Sequence, residues 1–274
     1  MAAPRPRLDR SPVPWWAAIC FLLSGAAGLI HEIVWSKQIG YLLGSSLHSV
    51  ATVTAAFLGG LALGAHTLGP RLVRRGDPAL RYAQLEGLVA VLGLAMLPLL
   101  RALDGPIGIL WRACGGEGPL FAIARVALLF AVLVPPAALM GATLPVLVAR
   151  CERGVLGSGL AALYALNTAG AVLGSLVAGF LLLPSLGLQV SAGVAAVLNL
   201  AAAALAARQP REETSATPAS GAPRETNAVL PTPAARRAYA AAFALSGFAA
   251  LALQLAWVRM YSLVLGSSVY SFAA

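Results

Sequence analysis

Three charged side chains lie inside apolar stretches of this sequence: Glu32, Glu86 and Arg125. A charge near the middle of a bilayer costs about 2.5–3.5 kcal/mol on insertion scales, so such residues are candidates for a functional site. Their positions within the stretches place Glu32 and Arg125 at similar depth. We therefore predict that these two side chains form an ion pair or share a polar site. Such a pair would either bind a substrate or lock two helices together, and the sequence leaves both interpretations open.

Neighbouring polar residues extend this candidate site. His31 directly precedes Glu32 and could relay protons, because histidine titrates near neutral pH; it could equally be a tolerated polar residue near a membrane interface. Asn167 is expected to hydrogen-bond a neighbouring helix. Glu86 is predicted either to take part in gating or, as the simpler interpretation, to clamp across a short loop to the arginines Arg71, Arg74 and Arg75.

A proline pair interrupts the apolar stretch that contains Arg125. Pro135 and Pro136 should break or kink a helix there, because proline lacks an N–H and clashes with the preceding turn. A broken helix can expose its backbone to a substrate, and it can also be an ordinary bend. We therefore include both prolines among the structural or gating candidates.

Other patterns indicate packing rather than catalysis. The glycine pairs Gly60/Gly64 and Gly170/Gly174 have the small-xxx-small spacing that lets membrane helices approach closely. The sequence shows no metal-ligand spacing, no phosphate loop and no nucleophile with a matched base. We predict no metal, no cofactor and no catalytic residue in this chain.

The elements that carry these residues have the composition of a helical membrane protein. Apolar residues make up 59% of the chain and charged residues 11%, against about 45–50% and about 25% in soluble domains. A bilayer core of about 30 Å requires about 20 apolar residues per helix. An open strand would leave its backbone groups unsatisfied in lipid. The sequence therefore predicts an all-α, polytopic protein with helices at about 15–35, 47–69, 82–100, 119–148, 157–182, 186–207 and 239–258.

The basic residues predict the orientation of these helices. Arginines concentrate before the first apolar run and after the second, fourth and sixth runs. By the positive-inside rule these segments are cytoplasmic, which places a multi-pass protein in the inner (plasma) membrane with a cytoplasmic N-terminus. Topology thus explains the net charge of +9, and we expect no nucleic-acid partner. Trp15, Trp16 and Trp35 are predicted to lie at the two interfaces of the first helix.

The segment that contains Glu32 recurs near the end of the sequence. "FLLSGAAGLIHEIVW", from Phe21, matches "FALSGFAALALQLAW", from Phe243, with neutral Gln254 in the place of Glu32. Six runs separate the copies, so the copies point the same way, as the two halves of major facilitator transporters do. A signal peptide is a weaker interpretation of the first copy, because the second lies where no signal peptidase would act. The predicted organisation is a cytoplasmic tail (1–14), a six-helix half (15–207), a disordered cytoplasmic linker (208–237) and the first helix of a truncated second repeat (238–274).

Five stretches also resemble, in the same order, a family of bacterial integral membrane proteins in which major facilitator-like helices are fused to a spermidine-synthase-like domain. These stretches are "FLLSGAAGLIHEIVWSKQIGYLLGSS", "TAAFLGGLALGAHTLGPRL", "YAQLEGLVAVLGL", "VPPAALMGATLPVLVAR" and "LYALNTAGAVLGSLVAGFLLLPSLGL". The resemblance implies a facilitator-like membrane part and a C-terminal aminopropyltransferase domain that this chain lacks. His31 stands where relatives usually carry tyrosine, and Val73 stands at the aspartate position of the facilitator loop signature, so a salt-bridged gate is not implied there.

Three functions are compatible with this sequence. The first is a transporter-like module in the lipid bilayer that handles polyamines or other small cations, for which Glu32 has the appropriate charge. The second is a membrane anchor for a fused or associated aminopropyltransferase domain. The third is a structural module that transports nothing. The first two depend on the family resemblance rather than on a motif of this chain.

Overall fold

A computed structural model describes residues 13–43, 46–74, 76–151, 158–211 and 232–264 of the chain. These residues form helices and short connections, and no strand occurs among them, which confirms the predicted all-α class. The helices are α1 (Trp15–Leu43), α2 (Ser46–Leu63), a π turn (Gly64–Leu68), α3 (Gly69–Val73), α4 (Pro78–Ala102), α5 (Asp104–Ala113), α6 (Pro119–Cys151), α7 (Ser158–Val177), a second π turn (Ala178–Leu182), α8 (Leu183–Ala207) and α9 (Pro233–Val264).

Six helical stretches are long and apolar enough to cross a membrane, judged by length and composition. They are Trp15–Leu43, His48–Val73, Pro78–Ala102, Pro119–Cys151, Gly159–Ala207 and Pro233–Val264. The fifth stretch holds 49 residues, more than twice the number that one crossing requires. It contains two of the predicted apolar runs, which is why seven runs correspond to six stretches.

The long fifth stretch changes direction within its length. Gly187 has φ 73° and ψ −178°, a conformation that is essentially restricted to glycine. The residue pairs in contact show that α7 is parallel to α1 and that α8 is antiparallel to α1. The contacting pairs are Gly170 with Leu22, Gly174 with Ala26, Asn199 with His31 and Ala202 with Cys20. The chain therefore reverses between α7 and α8, and Gly187 is the residue that permits the reversal.

The other neighbouring helices alternate in the same way. Paired contacts show that α1 and α2 are antiparallel, whereas α1 with α4 and α2 with α6 are parallel. The pairs are Gly40 with Ser49, Gly28 with Phe57, Cys20 with Tyr82, His31 with Gly93, Gly60 with Ala137 and Gly69 with Pro145. Successive membrane crossings joined by short loops require this alternation.

Small residues allow the closest helix contacts, as their spacing predicted. A Cβ atom at Gly60 or Gly64 would collide with α6 at Ala137 and Ala138, and one at Gly174 would collide with the carbonyl of Ala26 on α1. Gly170 meets Leu22 of α1 in the same way. The small-xxx-small prediction is confirmed for both pairs, which join α2 to α6 and α7 to α1.

Of the three tryptophans predicted to lie at the interfaces of the first helix, Trp16 and Trp35 are buried in the bundle. Trp35 is fully buried, and its ring packs against His31 and Phe57, whereas Trp15 is exposed. Trp35 lies one turn after His31 and so shares its face of α1. This face is covered by other helices, and burying a large aromatic ring there is more favourable than exposing it at the interface.

Of the two outcomes predicted for Pro135 and Pro136, a broken helix is wrong, and a kinked one stays a prediction. Helix α6 continues through both residues and through Pro145 to Cys151. Proline has a fixed φ that suits a helix, so the cost is a missing N–H donor and crowding of the preceding turn. Neighbouring helices can supply partners for the backbone groups that are freed, which is why proline is tolerated in membrane helices.

Helix α9 carries the second copy of the repeat and has no buried residue. Trp257, which aligns with buried Trp35, is 52% exposed. The predicted domain boundaries remain predictions, because the tail to residue 12, the linker at 212–231 and the end of the second repeat at 265–274 lie outside the described residues.

The close approach of α7 to α1 can be tested with a methyl group. Gly174→Ala should destabilise the protein by about 1–3 kcal/mol, because the added Cβ overpacks the contact with Ala26. Gly193→Ala in α8 is the control, since a Cβ there meets no atom within 4 Å. The control should gain up to about 1 kcal/mol from helix propensity. Thermal unfolding in detergent micelles measures both changes, and equal effects would contradict the packing argument.

Candidate functional site

A cavity of about 320 Å³ lies between α1, α2 with its π turn, α6 and α7. Its wall is mostly apolar, with polar groups from Ser24, Thr143, Tyr164 and Asn167. The apolar lining comes from the residues Phe21, Gly25, Gly28, Leu29, Phe57, Leu61, Ala62, Ala65, Met140, Gly141 and Leu144. This volume is at the lower end of the range of small-molecule sites, about 300–1,000 Å³, and a few polar groups in an apolar wall are typical of them.

A buried polar network joins three helices beside this cavity. The amide Nδ2 of Asn199 on α8 donates to Oε2 of Glu86 on α4, with an N–O distance of 2.6 Å. The amide Oδ1 of the same Asn199 lies 3.2 Å from Nε2 of His31 on α1. All three side chains are buried, and Glu86 is only 1% exposed. One amide therefore bridges a carboxylate and an imidazole in the interior of the bundle.

Ser24 connects the network to the cavity. Its side chain interacts with Glu86 and also lines the cavity. Tyr82 on α4 is fully buried next to Glu86, and its hydroxyl donates to the carbonyl oxygen of Cys20. A molecule in the cavity would thus be separated from the buried carboxylate by the hydroxyl of Ser24.

The imidazole of His31 occupies a tightly packed position. Gly93 on α4 faces the ring, and a Cβ atom at Gly93 would collide with it. On its other side the ring stacks on Trp35, with 5.4 Å between the ring centroids. Two buried atoms of the network, Nδ1 of His31 and Oε1 of Glu86, have no hydrogen-bond partner among the described residues. Both atoms are therefore available for a further hydrogen bond in an apolar interior.

Glu32 forms a second buried polar contact, between α1 and α2. Its Oε1 accepts a hydrogen bond of 3.3 Å from the hydroxyl of Thr54, and the residue is 6% exposed. Ser24, Gly28 and Glu32 lie on one stripe of α1 at four-residue spacing. Ser24 and Gly28 line the cavity, whereas Glu32 lies one turn beyond Gly28 and outside the lining.

The predicted ion pair between Glu32 and Arg125 is not formed. Arg125 is half-buried, its guanidinium lies 5.0 Å from the ring centroid of Phe121, and its Nε has no hydrogen-bond partner. Phe121 lies one turn before Arg125 on α6, so the arginine packs along its own helix. Two residues at similar depth meet only if their side chains point toward each other. Hydropathy predicts the depth of a residue but not the direction in which its side chain points.

The predicted clamp between Glu86 and the loop arginines is not formed either. Glu86 is buried and bonded to Asn199, and neither Arg71 nor Arg74 pairs with it; Arg75 lies outside the described residues. About two turns of helix between the loop and Glu86 place the carboxylate inside the bundle. The interior position requires partners on neighbouring helices rather than at the surface.

The predicted role of Asn167 is confirmed. Its Nδ2 donates to the carbonyl oxygen of Phe21 on α1, at 3.3 Å, and the residue lines the cavity. Pro135 and Pro136 do not line the cavity. Asn199 was missed, although it is an amide inside an apolar run and thus gave the same signal as Asn167. In the described ranges, no group of three His, Cys, Asp or Glu residues could hold a metal ion.

Sequence comparison relates the chain to several curated proteins at 28–30% identity. Among them are the polyamine aminopropyltransferase of Corynebacterium efficiens (29% identity; 69% of this chain, 34% of that protein), polyamine aminopropyltransferase 2 of Streptomyces coelicolor (30%; 71% and 33%) and the polyamine aminopropyltransferase of Mycobacterium tuberculosis (28%; 70% and 35%). No family model matches the chain, and no solved structure matches it.

The chain is therefore a homologue, over about 70% of its length, of proteins named polyamine aminopropyltransferase. It spans about a third of the length of these curated relatives. The polyamine-related resemblance noted in the sequence is thereby supported, together with helices long enough to cross a membrane.

The bridging amide of the network can be tested by a double-mutant cycle. Asn199→Ala should destabilise the protein by about 1–3 kcal/mol, because it removes the amide donor from a buried carboxylate. The cost should fall in a Glu86→Gln background, since a neutral amide is cheaper to leave unpaired than a carboxylate. Equilibrium unfolding in detergent gives the coupling energy.

Asn167→Ala is the matched control for this cycle. It removes a neutral amide bond to Phe21, and such bonds average about 0.6 kcal/mol in membrane proteins. Its effect should be the same with Glu86 and with Gln at that position. Additive effects of Asn199→Ala and Glu86→Gln would contradict the network.

Proposed function

We propose that this chain forms the transporter-like membrane module of a polyamine-related protein and binds a small cation between its helices. The observation that carries the proposal is the pair of buried carboxylates, Glu86 and Glu32, neither of which contacts a cationic side chain in the described part of the chain. A buried charge without a partner is expensive. A cationic ligand would supply the missing charge.

The position of the cavity supports the same proposal. An organic amine in the cavity would meet the hydroxyl of Ser24, behind which lies Glu86. The aromatic and aliphatic wall, including Phe21 and Phe57, suits the methylene chain of a polyamine. Asn199 and His31 would position the carboxylate, while Glu32 would attract the cation from the next turn of α1.

Arg125, which was expected to share the site, has no role in this proposal. Its guanidinium packs on Phe121 and would repel a cation rather than bind one. The carboxylates alone therefore define the proposed charge preference. This also distinguishes the proposal from a structural lock, in which an internal arginine would neutralise the acid.

The identity of the ligand rests on the relatives. Proteins named polyamine aminopropyltransferase match most of the chain, and polyamines are multivalent cations. We further propose a facilitator-like arrangement in the inner membrane, with a cytoplasmic N-terminus and with α9 as the first helix of a second repeat. The alternation of helix directions and the even number of predicted apolar runs between the repeated segments support that arrangement.

A membrane anchor for an aminopropyltransferase domain is the second candidate function. The names of the relatives favour it, because the chain matches only about a third of their length. An anchor does not require buried carboxylates next to a cavity, so the polar network favours ligand binding. The two functions are compatible if the membrane part delivers or removes a polyamine.

Uptake of radiolabelled spermidine into proteoliposomes tests the transport function. We expect uptake by the wild-type protein, and at least a tenfold rise in its apparent KM for Glu86→Gln and for Glu32→Gln. This corresponds to the loss of a charge-assisted interaction of about 1.5–3 kcal/mol. Glutamine already occupies the aligned position in the repeat, Gln254, so Glu32→Gln should still insert.

Glu117→Gln is the control, because Glu117 is an exposed carboxylate between α5 and α6. Its uptake should equal that of the wild type. Monodisperse elution and an unchanged circular dichroism spectrum establish folding of each variant. Wild-type protein that folds but takes up no spermidine would refute polyamine transport and favour the anchor function.

A further inference from the structure

A second cleft lies at the arginine-rich end of α2 and α3, away from the cavity between the helices. It measures about 250 Å³ and is lined by His66, Thr67, Pro70, Arg71 and Arg74. Both arginines and His66 are exposed to solvent. The cleft lies in the last two turns of the stretch His48–Val73, where a membrane helix would pass the headgroup layer.

The helix geometry brings the two guanidinium groups to one face. Arg71 and Arg74 are three residues apart, and Thr67 and Pro70 complete the same face. The π turn Gly64–Leu68 lies directly before them and contributes His66 and Thr67 to the cleft. The hydroxyl of Thr67 donates to the carbonyl oxygen of Leu63 at 2.6 Å, so it is not available as a donor to a ligand. The donors are therefore the two arginines and the ring of His66.

No described acidic side chain neutralises this cleft. Asp77 is the nearest carboxylate in sequence, and its Oδ1 accepts a hydrogen bond from the backbone N–H of Ala79 at the start of α4. Glu86 is buried and bonded to Asn199. Neither Arg71 nor Arg74 forms an ion pair with a carboxylate in the described ranges. Among the described residues, these two neighbouring positive charges thus have no anionic partner.

We propose that this cleft binds a phosphate group, with Arg71 and Arg74 as its charged ligands. Guanidinium groups present a planar set of donors that matches phosphate oxygens in a bidentate manner. Basic pockets between membrane helices at this level bind the headgroups of anionic lipids. The phosphate comes either from such a lipid or from a free phosphate in solution, and the two sources require separate tests.

Native mass spectrometry of the detergent-purified protein provides the lipid test, with phosphatidylglycerol and phosphatidylcholine as probes. Each arginine near an anionic lipid contributes about 1 kcal/mol, or roughly fivefold in affinity. We therefore expect Arg71→Gln/Arg74→Gln to weaken phosphatidylglycerol binding about 25-fold and to leave phosphatidylcholine binding unchanged. Isothermal titration with inorganic phosphate tests the soluble source on the same variants.

The matched control is Arg208→Gln/Arg211→Gln, which removes the same charge at the end of α8. Arg208 caps a helix C-terminus, as Arg74 does, so the control includes any effect of the helix dipole. Loss of phosphatidylglycerol binding in the cleft variant alone supports a lipid site, and loss of inorganic phosphate binding in that variant alone supports a soluble ligand. Equal behaviour of the two variants toward both probes would overturn the proposal, without affecting the cation site at Glu86.

Discussion

A carboxylate inside an apolar helix bundle must find its hydrogen-bond donors on other helices, and the bond from Asn199 to Glu86 meets this requirement. It fixes α8 against α4, and the second contact of the same amide fixes α8 against His31 of α1. The network cannot form unless these three helices have one relative position. The network also requires glycine at position 93, because only a residue without Cβ leaves room for the imidazole of His31.

Packing among α1, α2, α6 and α7 leaves the space for a ligand. Gly174 and Gly170 bring α7 against α1, and Gly64 brings the π turn against α6. The contacts are close at these points, and the cavity opens between them. Helix association in lipid depends on such contacts rather than on a hydrophobic driving force. The same small residues therefore determine both the stability of the bundle and the shape of the cavity.

Much of the fold follows from composition and spacing, whereas most partners in the site do not. Apolar runs predicted the helices, and the glycine pairs predicted close contacts. The sequence also identified Glu32 and Glu86 as unusual, since charges inside apolar runs are rare. It gave the wrong partners for both, because hydropathy fixes the depth of a residue and not its direction. Asn199 lies 113 residues after Glu86, and only the packed bundle brings them together.

A comparison of the two repeated segments distinguishes the residues of α1 that serve helix packing from those that could take part in chemistry. Helix α9 retains the serine–glycine pair and the tryptophan of α1, but Leu253 and Gln254 stand where α1 has His31 and Glu32. The shared residues are the small and aromatic ones that serve helix contacts in α1, whereas the two titratable residues are specific to the first copy. If both copies insert as membrane helices, their insertion needs neither titratable residue. The carboxylate of Glu32 then carries an energetic cost that insertion of this helix does not require, and this is the strongest physical argument that the site binds something.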